Sequence, residues 1–211
     1  MKDETLIWLE NWFFQACNGI WETKKRLLIE SIDNPGWALT LCLEDSKYQD
    51  KLCEKVLIDR SENDWCHSTI NESKLIIAGG PLNLNEIFYN FRKCIEAPKD
   101  INFIEITLIN WLQRWYYQYC DDDWEHSERF RILSTGTPGW IFSILLEGTH
   151  CEDRSFPVIE MNRSENNWYR CFLKEGKFVG RGGPFNLIEI LQTFRDWAKT
   201  CQNNGNHPPL L

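Results

Sequence analysis

Histidine and methionine are scarce in this chain of 211 residues, four and two copies, and most patterns that carry catalytic chemistry are missing. No C-x-x-C pair or Cys/His cluster at zinc spacing occurs, so no metal site is expected. There is no G-x-S-x-G elbow, no Walker A ending and no dinucleotide fingerprint, which removes the common hydrolase, P-loop and nicotinamide classes. No cysteine heads a Cys-x5-Arg cradle, and no cofactor is expected. No run approaches the roughly 18 uncharged apolar residues of a membrane helix. The opening Met1-Lys2-Asp3-Glu4-Thr5 lacks a basic region leading into an apolar one, so a cytoplasmic location is expected. Basic residues are in deficit, 23 against 31 acidic, for a net charge of −8. That argues against direct nucleic-acid binding, which needs a basic surface, and suits a basic partner.

What the chain has instead is aromatics: 11 Trp, 12 Phe and 6 Tyr, enough for a small unit to bury a sizeable core. Its nine cysteines are odd in number and scattered, and read as reduced thiols.

The chain also repeats itself. Trp8-Leu9-x-x-Trp12 recurs as Trp111-Leu112-x-x-Trp115, an offset of 111 − 8 = 103. Cys17 matches Cys120, and Trp21-Glu22 matches Trp124-Glu125. Pro35-Gly36-Trp37 matches Pro138-Gly139-Trp140, and Arg60-Ser61-Glu62-Asn63-x-Trp65 matches Arg163-Ser164-Glu165-Asn166-x-Trp168. Gly79-Gly80-Pro81-x-Asn83-Leu84-x-Glu86 matches Gly182-Gly183-Pro184-x-Asn186-Leu187-x-Glu189. About a third of aligned positions are identical, far above chance. Glu96–Asp100 carries a helix-breaking proline, so the repeats are expected at 1–98 and 104–201. The Gly/Pro-punctuated end, 202–211, reads as a disordered tail.

Periodicity places the elements of one unit. Leu108, Leu112, Trp115, Tyr116 and Tyr119 form one helical face. Strands are expected at 130–133, 140–146, 158–161, 168–173 and 178–180, with Lys174–Lys177 as a hairpin turn. In Pro138-Gly139 the proline presets φ and the glycine is expected to supply φ > 0. Asn83 and Asn186 read as N-caps, with Glu86 and Glu189 completing a capping box. The fold class is α+β: two tandem α-β-β-β-β-α units, with one further short strand allowed, each an antiparallel sheet with helices packed on one face.

Two readings stand for the Trp-Glu motif. Trp21 and Trp124, beside Glu22 and Glu125, are either interface anchors or packing at a helix end. Asp121-Asp122-Asp123 is either solvated surface or a meeting point for a basic partner. Arg60 and Arg163 are read as structural forks, with Glu22 and Glu125 as their partners. Trp37 and Trp140 join the structural set. An acid–base pair of Glu125 and His126, with Arg163, would make an enzyme, but the first copy has Thr23 in place of the histidine.

As a set, Trp111-Leu112-Gln113-x-Trp115-Tyr116, Cys120-Asp121-x-Asp123-Trp124-Glu125-His126, Pro138-Gly139-Trp140, Arg163-Ser164-Glu165-x-x-Trp168 and the Gly182-Gly183 helix start resemble the immunity protein 53 family of bacterial polymorphic toxin systems. The resemblance implies a non-catalytic protein that binds and occludes a cognate toxin domain, a basic one such as a nuclease. The contact residues it suggests are Trp124, Glu125, His126, Asp121, Asp122, Asp123, Tyr116, Tyr117, Trp21 and Glu22. A toxin-independent scaffold is the remaining alternative. The family's usual unit is a single domain, so the tandem chain implies an intramolecular pseudo-dimer. The copies differ most at 18–23 against 121–126 and at 32–34 against 135–137, and these stretches are expected to carry diverged binding.

Overall fold

The computed structural model describes residues 4–24, 27–50, 53–96, 107–121, 123–126 and 130–203. The first repeat runs α1 (Glu4–Ala16), α2 (Trp21–Lys24), β1 (Leu27–Ile32), β2 (Gly36–Cys42), β3 (Leu57–Ser61), β4 (Asp64–Asn71), β5 (Lys74–Gly79) and α3 (Leu84–Ile95). The second runs α4 (Thr107–Tyr117), a 3-10 turn (Trp124–His126), β6 (Phe130–Ser134), β7 (Trp140–Leu145), β8 (Ile159–Ser164), β9 (Asn167–Lys174), β10 (Lys177–Gly182) and α5 (Leu187–Asn203). Among the described residues each repeat therefore has five strands. The last helix continues to Asn203, into what the sequence suggested was tail; the rest of that stretch, from 204, lies outside the described residues.

The strands form one ten-stranded antiparallel sheet in the order β3-β4-β5-β2-β1-β6-β7-β10-β9-β8. The repeats meet at its centre, where β1 and β6 pair Leu28 with Leu133, Ile29 with Ile132 and Glu30 with Arg131. Ile29 and Ile132 are equivalent positions of the two repeats, so the pairing is that of a local two-fold through them. Two serines extend it: Ser134 Oγ accepts from Leu27 N at 2.9 Å and Ser31 Oγ from Phe130 N at 3.2 Å. These backbone donors would otherwise be buried without a partner.

Alternation along the strands fixes which face is covered. Leu27, Ile29, Trp37, Leu39, Ile77, Ile132, Trp140, Phe142 and Phe178 are buried under the helices, while their neighbours in β1, β2, β5, β6 and β7 are mostly half-buried on the other face, which carries no helix among the described residues. The core crosses the seam: Phe13 of α1 packs on Trp140 at 4.6 Å, and its counterpart Tyr116 of α4 packs on Trp37, also at 4.6 Å. Each first helix thus covers a tryptophan of the other repeat.

Two expectations about local structure change. The hairpin at 174–177 forms as expected, with Glu175 and Gly176 at φ 51° and 71°, the double positive φ of a type I′ turn. The Pro-Gly glycines, however, do not have positive φ. A Cβ on Gly36 would lie 2.4 Å from the Gly79 carbonyl oxygen, and one on Gly139 2.4 Å from that of Gly182. Glycine is required there because two backbones touch.

The cysteines also depart from the all-thiol reading. Cys53 and Cys94 are joined in a disulfide, with Cα atoms 5.1 Å apart, and the other seven are free. The equivalent positions of the second repeat hold Phe156 and Trp197, edge-to-face at 5.2 Å. One contact between the β2–β3 loop and the last helix is covalent in the first repeat, and its β7–β8 counterpart in the second is aromatic.

Candidate interaction surface

Most of the shared motif residues converge on one corner of each repeat. Trp37 Nε1 donates to Pro81 O at 2.8 Å, and Trp140 Nε1 to Pro184 O at 2.9 Å. Beside each lies the Gly-Gly pair, so tight that a Cβ on Gly80 would meet Asn63 O at 2.2 Å. The Arg60 guanidinium grips Glu86 with two bonds, 2.7 and 2.9 Å, and reaches Asp64 at 2.9 Å. Arg163 grips Glu189 in the same way, at 2.9 and 3.0 Å, and reaches Asn167 at 3.0 Å. The partners of these arginines are the glutamates of the last helices and not Glu22 and Glu125. The pairing works on the acids too: Arg163 and Asn186 hold Glu189 below the usual carboxylate range against the opposing effect of burial, and Asn83 and Arg60 hold Asp64 low.

The two asparagines are not simple N-caps. Asn83 makes no side-chain cap bond, and its Nδ2 donates to Asp64 and Glu86. Asn186 accepts from Trp168 N and donates to Asn167 and Glu189. Each amide ties the Ser-Glu-Asn turn to the helix glutamate, a role set by the fold of the β3–β4 or β8–β9 turn onto the helix start.

A residue of the other repeat completes each corner. Glu10 of α1 is 6 % exposed and accepts from Ile188 N of α5 at 3.0 Å. Its counterpart Gln113 of α4 accepts from Asn85 N of α3 at 3.4 Å. Burial pushes the Glu10 carboxyl up to about 7, with backbone bonds from the start of α5 opposing the rise. Glu10 does not stand out in the sequence and Gln113 appears there only within the Trp111–Tyr116 motif, because the contact that gives each its role spans the seam.

The Trp-Glu segments are braces. Trp21, Tyr116 and Trp124 are 0–7 % exposed, and the two indoles donate to Cys42 O and Glu147 O at 2.8 and 2.7 Å. Rings so shielded have no area to offer a partner, which corrects their expected role as anchors. Glu22, itself buried, accepts from Asn18 N and Gly19 N, and Glu125 from Asp121 N. Asn18 and Asp121 each accept from two backbone N–H groups ahead of them. The glutamates are therefore loop locks, and their expected contact role is corrected likewise.

Of the contact residues suggested by the sequence, Tyr117, Asp121, Asp123 and His126 remain exposed, while Asp122 lies outside the described residues. His126 Nδ1 is 2.7 Å from Asp33 Oδ1 of the other repeat. The counterpart contact brings Gly136 to Thr23, whose Cα is 3.4 Å from where a Gly136 Cβ would lie. The four stretches that diverged between the copies thus meet pairwise across the seam. Glu125 accepts from Asp121 N, His126 meets Asp33, and Arg163 bonds Glu189 and Asn167. Among the described residues no group of three or more His, Cys, Asp or Glu could hold a metal ion, and no helix is long and apolar enough to cross a membrane.

The sequence profile of the immunity protein 53 family matches the chain twice, over residues 6–96 and 109–199. The chain belongs to that family, as a tandem pair of its domains. No curated protein and no solved structure matches it.

Proposed function

We propose that the chain is an intracellular immunity protein that binds a cognate toxin domain and blocks it by occlusion, without chemistry of its own. Family membership supports the class of function. The observation that carries the mode is the meeting of diverged segments, His126 and Asp123 on one side and Asp33 on the other, on a surface that only the fused pair builds. Asp33, Asp121 and Asp123 give it negative charge and Tyr117 an exposed ring, which suits a basic face on the toxin, such as that of a nuclease. Complementary charge speeds encounter and selects the partner. The buried Trp21, Trp124, Glu22 and Glu125 act behind that surface by holding its loops. The separate bonding of Glu125, His126 and Arg163 weighs against the enzyme reading.

The test is co-expression with the toxin domain encoded beside the gene, combined with a pull-down. Asp123→Lys with Asp33→Lys is expected to lose neutralisation and the salt dependence of binding while the chain stays folded. Unchanged neutralisation would remove this surface from the mechanism, and a wild-type chain that binds no toxin would favour a scaffold.

A further inference from the structure

We infer that the helix-free face of β9 and β10 is a second docking surface, one that receives a carboxylate-bearing segment of the toxin; this rests on the toxin-binding reading above. In the cross-strand register Arg170 stands opposite Arg181 and Lys174 opposite Lys177, with Phe172 and Val179 between the two pairs. Arg181 points away from the helices, because Gly180 and Gly182 on either side of it lie under Ile190 of α5, 2.2 and 3.0 Å from where their Cβ atoms would be.

Like charges directly opposite each other on a sheet are unfavourable, and here two such pairs sit on one strand pair. The fold does not require them. At the equivalent positions of the first repeat His67 faces Ala78 and Asn71 faces Lys74, on the same backbone with no like-charge pair. Acidic neighbours compensate little: Glu160 is 3.7 Å from Arg170 and Glu175 3.6 Å from Lys174, all four more than half exposed. Such pairs are weak in water. A chain of net charge −8 thus concentrates four cations on one face of one repeat, an arrangement that an anionic partner would relieve.

The spacing describes the occupant. Positions four apart on a strand are roughly 13 Å apart, so the surface offers two cationic rungs at that separation with an apolar rung between them. Trp168, 38 % exposed, flanks them. An acidic protein segment with an apolar residue between its carboxylates matches this pattern. A nucleic acid matches it less well, since the net negative charge of the chain repels a continuous polyphosphate.

The experiment measures toxin affinity at low and high salt, and thermal stability, for Lys174→Glu with Arg181→Glu. Both like-charge pairs then become opposite-charge pairs. Melting temperature is expected to hold or rise while toxin binding weakens about tenfold or more, and Asn71→Glu in the first repeat is expected to leave affinity unchanged. Stability that holds with affinity within about twofold of wild type would overturn the inference and leave toxin binding itself standing. A wild-type chain that binds no toxin would overturn both. Tight binding of a single-stranded oligonucleotide by the wild type, lost in the double variant, would reassign the face to nucleic acid.

Discussion

The imidazole of His126 and the carboxylate of Asp33, 93 residues apart and in different repeats, meet at 2.7 Å. Each belongs to a stretch in which its own repeat departs from the other. The pair is 58 % and 77 % exposed, so its contribution to stability is small, typically under about 1 kcal/mol. Asp33→Ala is therefore expected to leave the unfolding midpoint nearly unchanged while reducing toxin affinity. Calorimetry alongside a binding titration checks both, and a large loss of stability would make the pair a structural clasp.

Glu10 gives stability a pH dependence. Its carboxyl titrates near 7 in the folded protein against an ordinary 4.5, so between those values the folded chain holds a proton that the unfolded chain has released. Stability from this group is thus complete below about 4.5, falls as pH rises to about 7 and is flat above. Glu10→Gln keeps an acceptor for Ile188 N and makes the site like Gln113. The variant is expected to gain up to about 3 kcal/mol at pH 8 and to lose the slope. Denaturant unfolding at pH 5 and pH 8 checks this; equal slopes in variant and wild type would contradict it.

The seam predicts the behaviour of half the chain. An isolated second repeat would expose the edge of β6 and uncover Trp140, which Phe13 now covers. An exposed apolar edge pairs with whatever matches it. Because Ile29 and Ile132 pair as equivalents, a second copy of the same repeat can replace the first, with Tyr116 of one copy over Trp140 of the other. Residues 107–203 are expected to form a homodimer, measurable by sedimentation equilibrium. A stable monomer would show that the seam is dispensable.

The touching backbones of the Gly-Gly corner allow a sharper test. Gly80→Ala would set a methyl 2.2 Å from Asn63 O, a backbone atom that cannot swing aside. A loss of about 2 kcal/mol or more is expected, in the range of an overpacked core. Gly176→Ala, whose Cβ would come no closer than 3.9 Å to Leu145, is expected to cost only the strain of its positive φ. Urea unfolding of the two variants ranks them.

Sequence alone determined the duplication, the α+β class, the strand positions and the amphipathic faces of the first and last helices. These follow from local periodicity and from residues recurring at a fixed offset, and they need no knowledge of what meets what. It also gave Arg60 and Arg163 the partners Glu22 and Glu125 and read Asn83 and Asn186 as helix caps, and these are not the side-chain contacts they make. Arg60 bonds Glu86, 26 residues on, and the Pro-Gly glycine admits a carbonyl from a strand more than 40 residues away; neither distance is written in a local pattern. Only the tertiary structure decided that the two sheets fuse into one, that Trp21 and Trp124 turn inward, and that the diverged loops face each other. A strand edge will pair with any compatible edge, and an aromatic beside a charge suits core and interface equally. The choice belongs to the whole chain: it is made where β1 finds β6 and each first helix covers the other repeat.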